Sequence, residues 1–220
     1  MEQHCTGGGK AKRHWLATYG GRIPAEIDPD AHASVVALLE QSMRRFADRP
    51  AFRCFGERLT YADTDRLSRA FAAFLQNRLG VKKGDRVAVM LPNIPAFPLA
   101  MLGILRAGAA QVNVNPLYTP RELEHQLNDA GAEVIVIFSG VSATLAEIIA
   151  RTPIKRVITV GLADGTQASL ASPPVDARLA NAVAFADALV QGAELSFAPV
   201  ALGGDDLLFL QYTGGTTGLL

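Results

Sequence analysis

Short apolar runs alternate with stretches of helical periodicity through the middle of this chain, residues 84–161. Such runs, flanked by turn residues, are typical of strands that are buried on both faces of a sheet. The predicted strands are residues 86–91, 111–114, 134–138 and 157–160. Helical stretches of about 10–15 residues separate them, as in βαβ units. The pattern therefore predicts an α/β fold, a mostly parallel sheet flanked by helices on both faces.

Helix boundaries within this repeat are marked by capping residues. Thr119, Pro120 and Glu122 combine an N-cap, proline at the first helical position and glutamate at the third, and Gly131 ends the predicted helix. The helix predicted over residues 94–107 is apolar on nearly all sides, so we expect it to be buried or to lie at an interface. A further helix is predicted over residues 142–151.

The part of the chain before residue 84 follows a different pattern. A helix over residues 35–47 has Ser34 as its N-cap, and two short strands, 51–55 and 58–61, are predicted to form a hairpin about Gly56 and Glu57. Thr60 and Asp63 stand in capping-box register at the start of a second helix, which Gly80 ends.

The segments outside the repeat set the expected domain limits. Residues 1–14 are polar and aperiodic and are expected to be a disordered extension, with one incomplete domain over residues 15–220. Residues 161–199 are rich in Ala, Ser, Gly and Pro in their first half and are interpreted as a variable connector. A short helix is predicted at 182–190, and the last strand at 207–210.

Composition gives no support to several classes of function. The chain has 21 basic and 21 acidic residues, so its zero net charge gives no support to nucleic-acid binding. Cys5 and Cys54 are far apart and are expected to be reduced thiols, and the four histidines lack the spacing of metal ligands. Since no signal peptide or stretch long enough to span a bilayer is evident, we expect a cytoplasmic protein, with peripheral membrane contact left open.

The candidate chemistry lies in the loop after the last strand. Thr213, Gly214, Gly215, Thr216, Thr217 and Gly218 offer backbone N–H groups and hydroxyls that suit phosphate oxygens. The glycine spacing matches neither a Walker A loop nor a dinucleotide-binding fingerprint, and no serine is present for a nucleophile elbow. From these residues alone, a phosphate-binding loop and a tight glycine turn that exposes threonines both remain open.

The segment Tyr212–Gly218 (YTGGTTG) resembles the signature loop of the adenylate-forming superfamily. Segments 82–88 (KKGDRVA), 91–93 (LPN), 103–108 (GILRAG) and 113–131 (NVNPLYTPRELEHQLNDAG) resemble bacterial long-chain fatty-acid–CoA ligases of that superfamily. The resemblance implies the first part of the large N-terminal domain of such an enzyme.

The same resemblance implies the reaction and its participants. A fatty-acid carboxylate attacks the α-phosphate of ATP to give acyl-adenylate and pyrophosphate, and the thiol of coenzyme A then displaces AMP, with Mg²⁺ accompanying ATP. The six loop residues Thr213, Gly214, Gly215, Thr216, Thr217 and Gly218 would hold the triphosphate, while no catalytic or metal-ligating residue is assigned. A homodimeric full-length enzyme and contact with the inner membrane surface are also implied.

The sequence departs from the family pattern after the loop. The lysine of the signature would come after Leu220, and so would the rest of the active site. We therefore expect an N-terminal fragment that is inactive alone. Two alternatives stay open: a nucleotide-binding or interaction module without turnover, or an adenylate-forming ligase for a medium-chain, aromatic or peptide-linked acid.

Overall fold

A computed structural model describes residues 13–19, 21 and 23–213 of the 220-residue chain. The chain divides into two compact units, residues 1–32 and 33–220. In the first unit a short 3-10 helix, His14–Thr18, is closed by a hydrogen bond from Thr18 Oγ1 to the carbonyl of Trp15. Residues 1–12 of the predicted extension lie outside the described part, so the predicted domain limits stay predictions.

The second unit contains six α-helices and eight strands among its described residues. The helices are α1 (Val35–Arg45), α2 (Tyr61–Arg78), α3 (Ala96–Arg106), α4 (Pro120–Ala130), α5 (Ser142–Ile148) and α6 (Phe185–Ala193). The strands are β1 (Pro50–Cys54), β2 (Glu57–Thr60), β3 (Arg86–Met90), β4 (Ala110–Asn113), β5 (Val134–Phe138), β6 (Arg156–Val160), β7 (Val183–Ala184) and β8 (Phe209–Gln211). No helix in the described part of the chain is both long and apolar enough to cross a bilayer.

Six strands form one sheet in the order β7-β6-β5-β3-β4-β8, and every pairing in it is parallel. Strands β1 and β2 form a separate antiparallel hairpin. The helices that connect parallel strands cover the sheet, as right-handed βαβ crossovers do. The α/β prediction is confirmed.

The sheet separates two hydrophobic clusters. Successive residues of β3 point to opposite faces, so Val87 and Val89 belong to one cluster while Ala88 and Met90 belong to the other. Helices α2, α3 and α6 pack on the first face, and α4 and α5 pack on the second. Helix α3 is largely buried, as its apolar sequence predicted.

The capping predictions are confirmed in detail. Ser34 accepts a hydrogen bond from the Ala37 N–H at the start of α1. Thr60 with Asp63, and Thr119 with Glu122, form complete capping boxes at α2 and α4. Helix α4 ends at Gly131, whose φ of +62° is the left-handed conformation that glycine adopts without strain.

Three predicted boundaries in the sheets were wrong. The hairpin turns at Phe55 and Gly56, one residue earlier than predicted, because both adopt positive φ and Cys54 pairs with Glu57. Part of the helix predicted at 182–190 is strand β7, since Val183 and Ala184 pair with β6 before α6 begins. The last strand begins two residues later than predicted, where Phe209 pairs with Gln111.

Three predicted helices are shorter than expected, and α1 is one of them, since it ends at Arg45 instead of residue 47. Helix α3 begins at Ala96 because Pro95 disfavours helical backbone at the residue before it, Ile94. The helix predicted over residues 142–151 stays α-helical only to Ile148 and then continues as a 3-10 turn, Ile149–Arg151.

Candidate functional site

Strand β8, which precedes the predicted loop in the sequence, ends at the carboxyl edge of the sheet. Strand β8 lies at the end of the sheet beside β4 and runs parallel to it. In open parallel sheets, ligands bind outside the carboxyl ends of the strands. Thr213 is exposed just beyond β8, whereas Gly214, Gly215, Thr216, Thr217 and Gly218 lie outside the described residues.

The same edge contains a point where the chain connections diverge. Strands β3 and β5 are neighbours in the sheet. From β3 the chain continues to β4 on one side, and from β5 it continues to β6 on the other side, which is the arrangement that opens a crevice. Asn93 follows β3 and is exposed, and Ser139 follows β5 with its hydroxyl buried and unpaired among the described residues. Since adjacent strands lie about 4.8 Å apart, the ends of β3 and β8 are roughly 10 Å apart.

Side-chain amides link β4 to β8 at this edge. The Asn113 amide donates from Nδ2 to Gln211 Oε1 over 2.7 Å, and Gln111 Nε2 donates to Asn113 Oδ1 over 2.5 Å. Gln126 of α4 donates to the Asn113 carbonyl over 2.8 Å. Asn113 is therefore the centre of an amide network that ends on the last residue of β8.

Tyr212, which follows Gln211, contacts helix α4 on the opposite face of the sheet. Its hydroxyl donates to a carboxylate oxygen of Asp129 on α4, and its ring packs against the cluster that includes Leu123 and Leu127. Burial of the phenol, together with its hydrogen bond to Asp129, raises the pKa of Tyr212 to about 12. The hydroxyl is thus protonated and available as a donor at neutral pH.

The segment that enters β8 is hydrogen-bonded to Lys83, three residues before the start of β3. Lys83 Nζ donates to the Ala201 carbonyl and to the Asp206 carboxylate, both over 2.8 Å. The same carboxylate accepts from the Gly203 N–H over 2.7 Å. The hydrogen bond from Lys83 lowers the pKa of Asp206, so this carboxylate is ionised at neutral pH.

Sequence reasoning missed the residues that contact Gln211 and Tyr212. Asn113 and Asp129 lie within the 113–131 segment that carries the resemblance, but nothing in their local pattern indicates contact with residues 211 and 212. The His125 side chain is exposed, as expected of a surface position on a helix. No group of three or more potential metal ligands occurs in the described ranges.

The model of the family described as AMP-binding enzyme matches residues 39–220. The chain belongs to this family. Among curated relatives, the long-chain-fatty-acid–CoA ligase of Escherichia coli O6:H1 is 47% identical over 94% of this chain and 39% of its own length. The ligase of the same name from Bacillus subtilis is 36% identical over 95% of this chain and 39% of its own length. This member of the AMP-binding enzymes therefore spans about two-fifths of the length of those relatives.

Solved structures agree with the assignment. A long-chain-fatty-acid-CoA ligase from Archaeoglobus fulgidus superposes with a TM-score of 0.68 and 25% identity, over 84% of this chain and 35% of that one. The apo structure of MbtA from Mycobacterium smegmatis superposes with a TM-score of 0.70 and 29% identity, over 85% of this chain and 32% of that one. The resemblance to adenylate-forming ligases and the fold that it implied are confirmed.

Proposed function

We propose that this chain forms part of an ATP-dependent ligase that converts a long-chain fatty acid to its acyl-adenylate and then to acyl-CoA. The observation that carries the proposal is the 47% identity to a long-chain-fatty-acid–CoA ligase over 94% of this chain. The position of Thr213, which directly follows β8 at the carboxyl edge of a parallel sheet, also supports it.

In the first step a carboxylate oxygen of the fatty acid bonds to the α-phosphorus of ATP, and the bond to the pyrophosphate oxygen breaks. In the second step the sulfur of coenzyme A bonds to the acyl carbon, the thiol proton is lost, and AMP leaves with the bonding electron pair. Thr213, Gly214, Gly215, Thr216, Thr217 and Gly218 would hold the triphosphate through backbone N–H groups and hydroxyls, which offset the charge that develops during transfer.

Mg²⁺ would accompany the ATP phosphates and reduce their charge. Within the described ranges no cluster of three acidic, histidine or cysteine side chains could hold an ion. We therefore assign no residue of this chain to the metal. Coenzyme A and the fatty acid are substrates to which no described residue is assigned.

The domain limits and cellular context are proposals of the same kind. We propose that residues 15–220 form the first part of an AMP-binding domain with a variable connector at 161–199, and the family match over 39–220 supports this. A cytoplasmic homodimer that contacts the inner membrane surface is proposed from the resemblance alone. Cell fractionation and light scattering of the purified protein test these two points.

Fatty-acid-dependent exchange of pyrophosphate into ATP tests the main proposal. The protein expressed from its own gene should catalyse exchange with palmitate or oleate more efficiently than with octanoate, benzoate or coumarate. Exchange that prefers an aromatic acid would indicate a ligase for a different substrate. Saturable ATP binding without exchange would instead favour a nucleotide-binding module. From the 220 residues alone we expect no exchange, because they correspond to 39% of the curated relatives.

Substitution of the loop tests its role. Gly215→Val adds a branched side chain where the backbone must approach phosphate, so we expect kcat/KM for ATP to fall about tenfold or more. Gly204→Val is the matched control, since nothing lies within 4 Å of a Cβ at Gly204. Equal losses in the two variants would contradict a specific role for the loop.

A further inference from the structure

We propose that the turn of the β1–β2 hairpin docks on an anionic membrane surface, through the Phe55 ring and the guanidinium groups of Arg53 and Arg58. The inference rests on the membrane contact proposed above, to which it assigns a site. Three features of the hairpin carry it: a strained backbone, like charges side by side, and an exposed aromatic ring. An interfacial element needs apolar area to enter the headgroup region and positive charge to meet anionic lipids.

The turn places a bulky side chain where the backbone disfavours one. Phe55 and Gly56 form a two-residue turn in which both residues adopt positive φ, +54° and +80°. Asn-Gly is among the most favoured sequences for such turns, and a bulky residue at positive φ is an outlier. Phe55 is the one non-glycine residue with positive φ in the described ranges. Its ring is 46% exposed, so packing within this domain does little to offset the strain.

Two arginines lie directly opposite each other beside this turn. Arg53 of β1 pairs with Arg58 of β2 in the antiparallel register, and both side chains are exposed. Like charges at directly opposed positions destabilise a hairpin. The neighbouring ion pairs involve other arginines, and no carboxylate in the described part of the chain pairs with Arg53 or Arg58. Glu57 pairs with Cys54 in the register, so it points to the other face of the hairpin.

An anionic bilayer accounts for both unfavourable features. Lipid phosphates between the two guanidinium groups would relieve their repulsion, and arginine suits phosphate because its planar fork donates two parallel hydrogen bonds. The Phe55 ring would leave water for the boundary between headgroups and acyl chains. Since the chain has zero net charge, attraction to an anionic surface must come from a local group of charges such as this one.

The hairpin adjoins the edge of the sheet where ligands are expected to bind. Phe52, Arg53 and Cys54 form one wall of a groove of about 390 Å³, and residues from Asn93 to Met101 form the other. Asn93 follows β3 at the carboxyl edge, outside which open parallel sheets bind their ligands. A bilayer at the hairpin would therefore lie on the side of the domain from which an amphiphilic acid has to approach.

A second copy of this chain fits the hairpin less well than a bilayer does. A symmetric contact through the hairpin would bring two identical arginine pairs together and add to the repulsion that each pair already carries. A bilayer that contains anionic lipid adds attraction at the same groups. Charge complementarity therefore selects the membrane.

Sedimentation with lipid vesicles tests the proposal in the protein expressed from its own gene. Vesicles of phosphatidylcholine with phosphatidylglycerol measure binding, and vesicles of phosphatidylcholine alone are the reference for charge. Arg53→Gln and Arg58→Gln should each lower partitioning to the anionic vesicles about fivefold, as expected for one arginine near such a surface. Arg156→Gln is the matched control and should leave partitioning unchanged. It removes the same charge from an exposed residue that begins β6, at the amino edge of the sheet.

Phe55→Asn separates docking from folding. Asparagine suits positive φ better than phenylalanine does, so the thermal unfolding midpoint should stay the same or rise. Partitioning to anionic vesicles should nevertheless fall about fivefold, because the apolar ring is gone. Arg58→Gln should not lower the midpoint either, since it removes repulsion between the strands. If both variants lost binding only in proportion to a lower midpoint, the hairpin would have a structural role and the proposal would be overturned.

Phe55→Trp locates the contact directly. With anionic vesicles that carry brominated acyl chains, the fluorescence that this variant adds to that of the wild type should be quenched. No quenching of the added fluorescence, in a protein that still binds vesicles, would overturn the inference and leave membrane contact to another surface. A wild-type protein that binds no vesicles would overturn both the membrane contact and this site, whatever its ligase activity.

Light scattering tests the competing occupant. Phe55→Asn should leave the oligomeric state unchanged while it lowers vesicle binding. Dissociation of a dimer by this variant, with unchanged partitioning to vesicles, would assign the hairpin to contact between copies and overturn the proposal.

Discussion

The guanidinium of Arg106 lies 2.5 Å from the carboxylate of Asp65, and the Arg106 side chain is only 1% exposed. Arg106 also donates to Ser68 Oγ over 2.7 Å and pairs with Glu40 over 3.2 Å. These contacts join α1, α2 and α3. Arg106 belongs to the 103–108 segment that carries the resemblance, and its surroundings show that it is structural: a buried charge with a complete set of partners.

Removal of the Asp65 carboxylate should lower the free energy of unfolding more than removal of the Arg106 charge. Asp65→Ala leaves the buried guanidinium without its nearest carboxylate, so we expect a loss of about 3–5 kcal/mol in the free energy of unfolding. Arg106→Met replaces the charge with an apolar chain of similar length and should cost less. Arg66→Met, on an exposed side chain of α2, should change stability by less than about 0.5 kcal/mol. Urea unfolding measures all three, and a larger loss for Arg106→Met than for Asp65→Ala would contradict this prediction.

The ion pair of Arg106 with Asp65 also predicts how the free energy of unfolding depends on pH. Burial alone would raise the pKa of Asp65, but hydrogen bonds from Arg106 and Arg69 outweigh it and lower the pKa below the ordinary value of 3.8. A lowered pKa in the folded state contributes stability that is present above 3.8 and is lost as the pH falls through the folded value. In urea unfolding between neutral pH and pH values below 3.8, Asp65→Asn should therefore lose less stability than the wild type. Equal losses of stability on acidification in the two proteins would contradict this prediction.

Two glycines set the distances between helices. A Cβ on Gly192 of α6 would lie 2.0 Å from the carbonyl oxygen of Ala70 on α2, and one on Gly103 of α3 would lie 2.6 Å from the buried ring of Phe71. We expect Gly192→Ala to destabilise by about 1–3 kcal/mol or more and Gly103→Ala by a similar or smaller amount, because backbone yields less than a side chain. Gly203→Ala is the control, since its Cβ would meet nothing within 4 Å and its φ is ordinary. Thermal unfolding measures the three variants, and equal midpoints in all of them would contradict the prediction.

The parts of the fold that sequence predicted depend on local chemistry. The apolar runs of β3 and β5 identify buried strands, and Thr119 with Glu122 identifies a helix start, because each signal is contained within a few residues. The errors arose where the deciding contact is distant. Val183 was predicted to be helical but pairs with Ile158 of β6, and Phe55 adopts positive φ in the hairpin turn, beside the pair of Cys54 with Glu57.

Contacts between residues distant in sequence were also missed at the candidate site. The residues of the loop could be proposed because the segment Tyr212–Gly218 resembles a family signature. The contacts just before the loop could not be predicted, since Asn113 is 98 residues from Gln211 and Asp129 is 83 residues from Tyr212. A single sequence contains no sign of such pairs, and the parallel register of β4 with β8 is what brings them together.

Titration of Tyr212 should report directly on its contact with Asp129. Burial, together with this contact, raises the pKa of Tyr212 from 10.0 to about 12, so the phenol keeps its proton to higher pH in the folded state than in the unfolded state. A raised pKa contributes stability that is complete below 10.0 and is lost as the pH rises towards about 12. The near-ultraviolet absorbance of tyrosinate should therefore include a late step near pH 12 that is missing in Tyr212→Phe and present in Tyr118→Phe. In Asp129→Ala the late step should move towards lower pH, because the negative charge and the hydrogen-bond acceptor are gone. A late step that survives in Tyr212→Phe would assign the raised pKa to another tyrosine and would remove this support for the contact with Asp129.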